Sequence, residues 1–150
     1  MFDPQSFLDA QITDSMDTKV VPCPQGEFTG VIDSIAPEQW KSGDGTQSGL
    51  KLVVQWLIED QGVKDFLARD TVKVKQQIFL DVTDDGKLDT GPQKNIGLGR
   101  LREAVDLNNK GQAFTFGMLP GRMAKVMVGH TPDRKDPETI FAQVNKVAKQ

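Results

Sequence analysis

The chain has no tyrosine, one histidine and one cysteine in 150 residues. A lone cysteine, Cys23, excludes an internal disulfide and any multi-cysteine metal site, and the expected compartment is reducing and cytosolic. A lone histidine, His130, would have to serve as the base of any Ser/His/Asp machinery, and no nucleophile-elbow motif accompanies it. Gly97-Leu98-Gly99 lacks the third glycine of a dinucleotide fingerprint, and no phosphate-cradling P-loop occurs. Apolar runs are short: none exceeds three residues, as at Leu52-Val53-Val54, whereas a membrane-spanning helix needs about 20. The start shows no basic stretch followed by an apolar one, so no secretory signal is expected. His130 therefore reads as structural, and the chain as non-enzymatic and free of cofactor or metal.

What is present is ordinary for one globular domain. Hydrophobic residues make up 37% and charged residues 26%, enough for a single core and not for two. The net charge is −3, which by itself disfavours polyanionic partners. The charge is unevenly spread, however. Asp3, Asp9, Asp14 and Asp17 face only Lys19 in the first twenty residues, while from Gly86 onward eleven Lys/Arg stand against six Asp/Glu. Polyanion affinity follows the local basic face, not the sum.

Period-two and period-3.6 patterns divide the chain. Asp3-Pro4 is an N-cap followed by a proline suited to the first helical turn, and Leu8, Ile12 and Met16 follow at spacing four. Val21-Pro22-Cys23-Pro24 ends that segment, so residues 1–24 are expected to form an arm. Strands are expected at Glu27–Ile35, with Gly30 marking a bulge or bend, at Leu50–Glu59 and at Thr71–Val82. Pro37–Gly49 reads as a long polar loop. Asn95–Leu107 reads as a helix with Leu98, Leu101, Ala104 and Val105 on one stripe. Two more strands, Gly121–His130 and Thr139–Val147, flank a charged loop at Thr131–Pro137. Three strands, a helix and two strands match the order of the five-stranded Greek-key barrel called the OB-fold, assigned to residues 25–150.

Within this order one constellation carries chemistry. Lys51, Lys73, Lys75 and Phe79 share the parity opposite the expected core. Paired strands would merge them into a patch where ammonium groups meet phosphates and a ring stacks a base. The same pattern also fits a solvated basic face with Phe79 covered by a loop or the arm. Trp40-Lys41, at the start of the expected loop, is either a ligand contact or a lid on the barrel. Trp56, among Leu52, Val54 and Ile58, belongs to the core. Arg134-Lys135 would form the groove's other wall. Lys125 shares a face with Met123 and Met127, which serve as contact surface or as filler under the helix. The Asp81, Asp84, Asp85 and Asp89 cluster has Pro92 where an EF-hand needs its bidentate Glu, and reads as a solvated acidic turn.

The run Val21-Pro22-Cys23-Pro24-Gln25-Gly26-Glu27-Phe28-Thr29-Gly30 resembles the opening "P-x-G-x-Y/F" pattern of phage-encoded single-stranded DNA-binding proteins. The Lys41-Ser42-Gly43 loop, the Leu50–Ile58 strand, the Leu98–Asn108 helix, Gly111, Phe114, Leu119-Pro120-Gly121-Arg122 and the Val126–His130 strand are similar to that family as well, over about residues 20–148. The resemblance implies an OB-fold that coats single strands during phage replication or recombination in the host cytoplasm. It also implies phage replication or recombination proteins as partners. Oligomeric state stays open, and no membrane partner is expected. Members of that family often end in an acidic tail, whereas this chain ends Asn145-Lys146-Val147-Ala148-Lys149-Gln150 and keeps its acidic segment at the start. The site expected for single-stranded DNA is Trp40, Lys41, Lys51, Lys73, Lys75, Phe79, Lys125, Arg134 and Lys135. Two other readings remain: a protein-interaction module on the same barrel, and a metal-dependent nuclease built on the four aspartates.

Overall fold

Strict alternation of apolar and polar side chains produces the strands seen in the computed structural model, which describes residues 3–150. The strands are β1 (Gly26–Lys41), β2 (Ser48–Ile58), β3 (Lys73–Leu80), β4 (Met123–Pro132) and β5 (Ile140–Ala148). They close into a barrel in the order β1-β2-β3-β5-β4. Every neighbouring pair is antiparallel except β3 and β5, which run parallel and share a single ladder pair, Lys75 with Gln143. This is an OB-fold-like barrel, as the order of elements predicts. Among the described residues three α-helices accompany it, α1 (Pro4–Leu8), α2 (Gln61–Leu67) and α3 (Ile96–Ala104), with a short 3-10 helix at Phe116–Met118. Among the described residues no helix is long and apolar enough to cross a membrane.

The inward parity of each strand builds one core. Leu52, Val54, Trp56 and Ile58 from β2 meet Val74 and Ile78 from β3, Ala124, Val126 and Val128 from β4, and Val144 from β5. Trp56 is fully buried, and its indole Nε1–H donates to Gln76 Oε1 at 2.9 Å. Gln76 is the one polar side chain among the buried residues described, and this bond explains its place there. Gly30 sits where a Cβ would come within 2.9 Å of the Trp56 ring and 3.0 Å of Val126. Its role is thus close packing against the indole. The bulge expected there falls between Ile32 and Ser34 instead.

Three further differences from the sequence reading have physical causes. First, β1 continues through Pro37 to Lys41, so the expected loop from Pro37 to Gly49 shrinks to residues 42–47. Beyond Ile32, whose backbone still bonds Gly121 and Arg122, β1 pairs only with β2, and among the described residues its other edge has no partner strand. An edge tolerates the N–H that proline lacks. Second, α2 joins β2 to β3, where no helix was expected. Asp60 caps it by accepting from the Val63 N–H at 2.9 Å, and Ala68 ends it in the left-handed region at φ 52°. Third, α1 stops at Leu8, and Leu8, Ile12 and Met16 are all exposed. A one-turn helix with no apolar face to bury has little to extend it.

The later part of the arm is tied down. (Its first two residues lie outside the described residues.) Lys19 bonds Asp136 and the Thr139 hydroxyl, and the Val21 carbonyl accepts from Arg69 at 3.5 Å. Cys23 is buried in the core, and burial first, then the nearby Asp60 carboxylate, pushes its thiol up to about 11. His130 lies within β4 and donates through Nε2–H to the Cys23 carbonyl at 2.7 Å, the structural role its position suggests. α3 covers the barrel end where β3 and β5 part, burying Leu98, Leu101 and Ala104.

Replacing Gln76 with leucine should strand the buried Trp56 N–H and lower unfolding free energy by about 1–3 kcal/mol. Urea denaturation followed by far-UV circular dichroism checks this; a neutral result would mean that water reaches the indole.

Candidate nucleic-acid interface

The outer parity of β1, β2 and β3 forms one continuous face. Strand register sets Lys51 opposite Phe79, Gln55 opposite Lys75 and Leu57 opposite Lys73, while β1 contributes Glu38 opposite Lys51 and Trp40 opposite Gly49. Trp40, Lys51, Lys73, Lys75 and Phe79 therefore share a surface. Phe79 is 59% exposed, and the Trp40 and Phe79 rings meet edge-on with centroids 5.6 Å apart at 90°. The indole lies against Gly49, where a Cβ would come within 2.7 Å of its Nε1. Trp40 is thus held on a strand by a glycine floor and a phenylalanine wall, and does not swing on a long loop as the sequence suggests.

The cations on this face are unequally committed. Lys51 has only 18% of its side chain exposed, reaches Gln77 Oε1 at 3.2 Å and lies 4.0 Å from Glu38. Lys73 lies 4.0 Å from Asp33, which also accepts from Gln55 at 2.9 Å. Lys75 is exposed and has no charged or hydrogen-bonding partner among the described residues. The Lys73–Asp33 pair is solvent-exposed, and exposed pairs at such distances contribute about 0–1 kcal/mol.

Two loops bracket the face. At the Phe79 end, residues 42–47 are knotted around Asp44. Its carboxylate accepts from the Ser42 hydroxyl at 2.6 Å, the Thr46 N–H at 3.0 Å and the Thr46 hydroxyl at 2.8 Å. Those bonds, Ser42's first, lower its pKa to about 2. Lys41 is exposed at the base of this loop, and Trp40, Lys41, Gly49 and Val82 line a shallow groove beside it. At the other end stands the loop from Asp133 to Thr139, carrying Arg134 and Lys135. The parallel β3–β5 pair brings the start of β5 to the same end as Lys73. The Lys19 ammonium and the Thr139 hydroxyl hold the Asp136 carboxyl below its usual range in this loop.

The remaining expected site residue sits elsewhere. Lys125, on β4, is opposite Thr29 of β1 and lies 3.7 Å from Glu27, so β1 separates it from the β2–β3 face. Met123 and Met127 flank it, exposed and not under the helix. Phe141 was missing from the sequence reading. It is 54% exposed on β5 and lies two residues before Gln143, as Lys73 lies two before Lys75 in the neighbouring strand. Its signal was its own parity with Gln143, which carries meaning only once β5 is known to adjoin β3.

Three members of the aspartate cluster accept local hydrogen bonds. Asp81 accepts from the Asn95 N–H at 2.8 Å, Asp89 from the Gly91 N–H at 2.9 Å, and Asp85 from the Thr83 hydroxyl. Among the described residues, no group of three or more His, Cys, Asp or Glu side chains gathers into a metal-binding cluster. With the geometry in hand, comparison with protein-family models and with curated proteins finds no match to this chain.

Because the folded Asp44 value lies below the ~3.9 of a free aspartate, the loop order it supports is complete above about pH 4. It is lost as pH falls through about 2. A carboxyl-carbon NMR titration should place the Asp44 midpoint near that value; a midpoint near 4 would mean that the knot is not formed in solution.

Proposed function

We propose that this chain binds single-stranded DNA without sequence preference, as phage single-stranded DNA-binding proteins do in replication and recombination. The observation that carries the reading is one exposed face on which Lys51, Lys73 and Lys75 run toward a Trp40–Phe79 ring pair. Ammonium groups neutralise phosphates and release counterions, and rings stack on bases of any identity, which together give sequence-tolerant affinity. Phe141, exposed on β5 two residues before Gln143, extends the same surface. DNA is preferred over RNA on the strength of the family resemblance alone.

Only two tryptophans are present, and Trp56 is buried. Fluorescence quenching by oligothymidine therefore reports on Trp40. Three phosphate contacts give a log–log salt slope of about −2. Trp40→Ala should weaken binding by about 1–3 kcal/mol; unchanged affinity in a folded variant removes the indole from the site. Lys73→Ala/Lys75→Ala should flatten the slope by about 1.4, at ~0.7 per phosphate, and an unaltered slope moves the binding face elsewhere.

A protein-interaction role is the second reading. Met123, Met127 and Phe141 are each about half exposed on the strand faces, and clustered methionines suit adaptable protein contacts. It predicts no retention on single-stranded DNA resin and a stable protein partner in pulldown.

A further inference from the structure

Where β3 and β5 splay apart beyond the Lys75–Gln143 pair, the barrel wall opens into a groove of about 350 Å³. Phe79 and Gln77 form one lip, Lys146 and Asn145 the other, and Arg100 of α3 closes the far side. A second depression of about 310 Å³ adjoins it, sharing Arg100 and Lys146 and adding Lys149 and Glu103. Arg100, Lys146 and Lys149 are all exposed, and none has an ion pair or hydrogen bond among the described residues. Glu103 is the sole acid lining either depression. The β2–β3 face, by contrast, sets three lysines against Asp33 and Glu38.

Resting on the reading above, we infer that the Arg100–Lys146–Lys149 surface is a second phosphate-binding face. On it, single-stranded DNA leaving the Trp40–Phe79 rings turns around the barrel's open seam. Phe79 belongs to both surfaces, touching Trp40 on one side and lining the seam groove on the other, so the path is continuous. The occupant is identified by charge. Three cations with no ion-pair partner among the described residues suit a sugar–phosphate chain, and the guanidinium of Arg100 adds the planar fork that phosphate accepts. This face also accounts for part of the excess of basic over acidic residues beyond Gly86.

The two faces differ in the strand length they require. Fluorescence anisotropy with labelled oligothymidines of about 6 and about 16 nucleotides, within the span of sites found on single barrels, separates them. Wild-type protein should bind the longer strand with the steeper salt dependence. Arg100→Ala/Lys146→Ala/Lys149→Ala should leave short-strand affinity within about 2-fold and weaken the long strand about 10-fold at low salt. It should also flatten the long strand's log–log slope by about 2, at ~0.7 per phosphate lost. The charge reversal Arg100→Glu/Lys146→Glu should exaggerate the same length-dependent loss. Equal losses at both lengths, or none at either, overturn the second face while the β2–β3 reading stands. Wild-type protein that binds neither strand overturns both.

Discussion

One bent strand closes this barrel. β1 pairs with β4 through its first residues and with β2 through the rest, overlapping at Gly30 and Val31. The bulge between Ile32 and Ser34 adds the twist that lets a single strand serve two neighbours. Gly30, at that overlap, gives up its side chain so that Trp56 can fill the core beneath. The indole is anchored in turn by Gln76 across the β2–β3 pair. Bend, glycine, indole and amide thus form one linked constraint. The outer face inherits its geometry from it, because the inward position of Trp56 and Gln76 forces Gln55, Lys75 and Gln77 outward.

That outer face reconciles an acidic protein with a proposed polyanionic ligand. Four of the acidic residues sit in the N-terminal segment, outside the strands in sequence. On the face itself the acids are local partners, with Glu38 beside Lys51 and Asp33 beside Lys73. Such partners hold the lysine stems upright at little energetic cost, and on the proposed reading they would yield to phosphate. The proposed binding would on these terms be strongly salt-dependent, with ring stacking supplying the part that salt does not screen. The edge-on contact of Trp40 with Phe79, over the floor at Gly49, orders both rings in the free protein, which would lower the entropy lost in the proposed binding.

The arm and the loops show how local sequence chemistry serves this arrangement. Lys19 fastens the arm to the loop carrying Arg134 and Lys135 through Asp136 and Thr139. Cys23 seats the arm's base in the core, with His130 fixing its carbonyl. The acidic cluster at Asp81–Asp89 is likewise structural. It orders the segment leading into α3 around Asn95, whose left-handed backbone at φ 54° is held by Asp81 and Asp89. The Asp81 and Asp89 carboxylates each accept one backbone N–H here, and among the described residues no three acidic, His or Cys side chains converge on a cation site.

Much was legible in the residues themselves. The alternation Leu52, Val54, Trp56, Ile58 and the stripe Leu98, Leu101, Ala104 announce a strand and a helix, because each pattern can bury its apolar side in only one way. The element order then narrows the topology to the barrel observed. The parity of Lys51, Lys73, Lys75 and Phe79 was equally readable, since side chains alternate strictly along a strand. What local pattern could not carry is anything set by a neighbour far along the chain. Pro37 opens the expected loop because its edge position depends on where β4 stops pairing, and with it Trp40 moves from loop to strand. Lys125 lies apart from the other lysines because β4 joins β1, and Phe141 joins them because β5 runs beside β3. Amino-acid order determined which side of each strand is polar. Only barrel closure decided which polar sides meet, because that depends on which strands hydrogen-bond to one another across long stretches of chain.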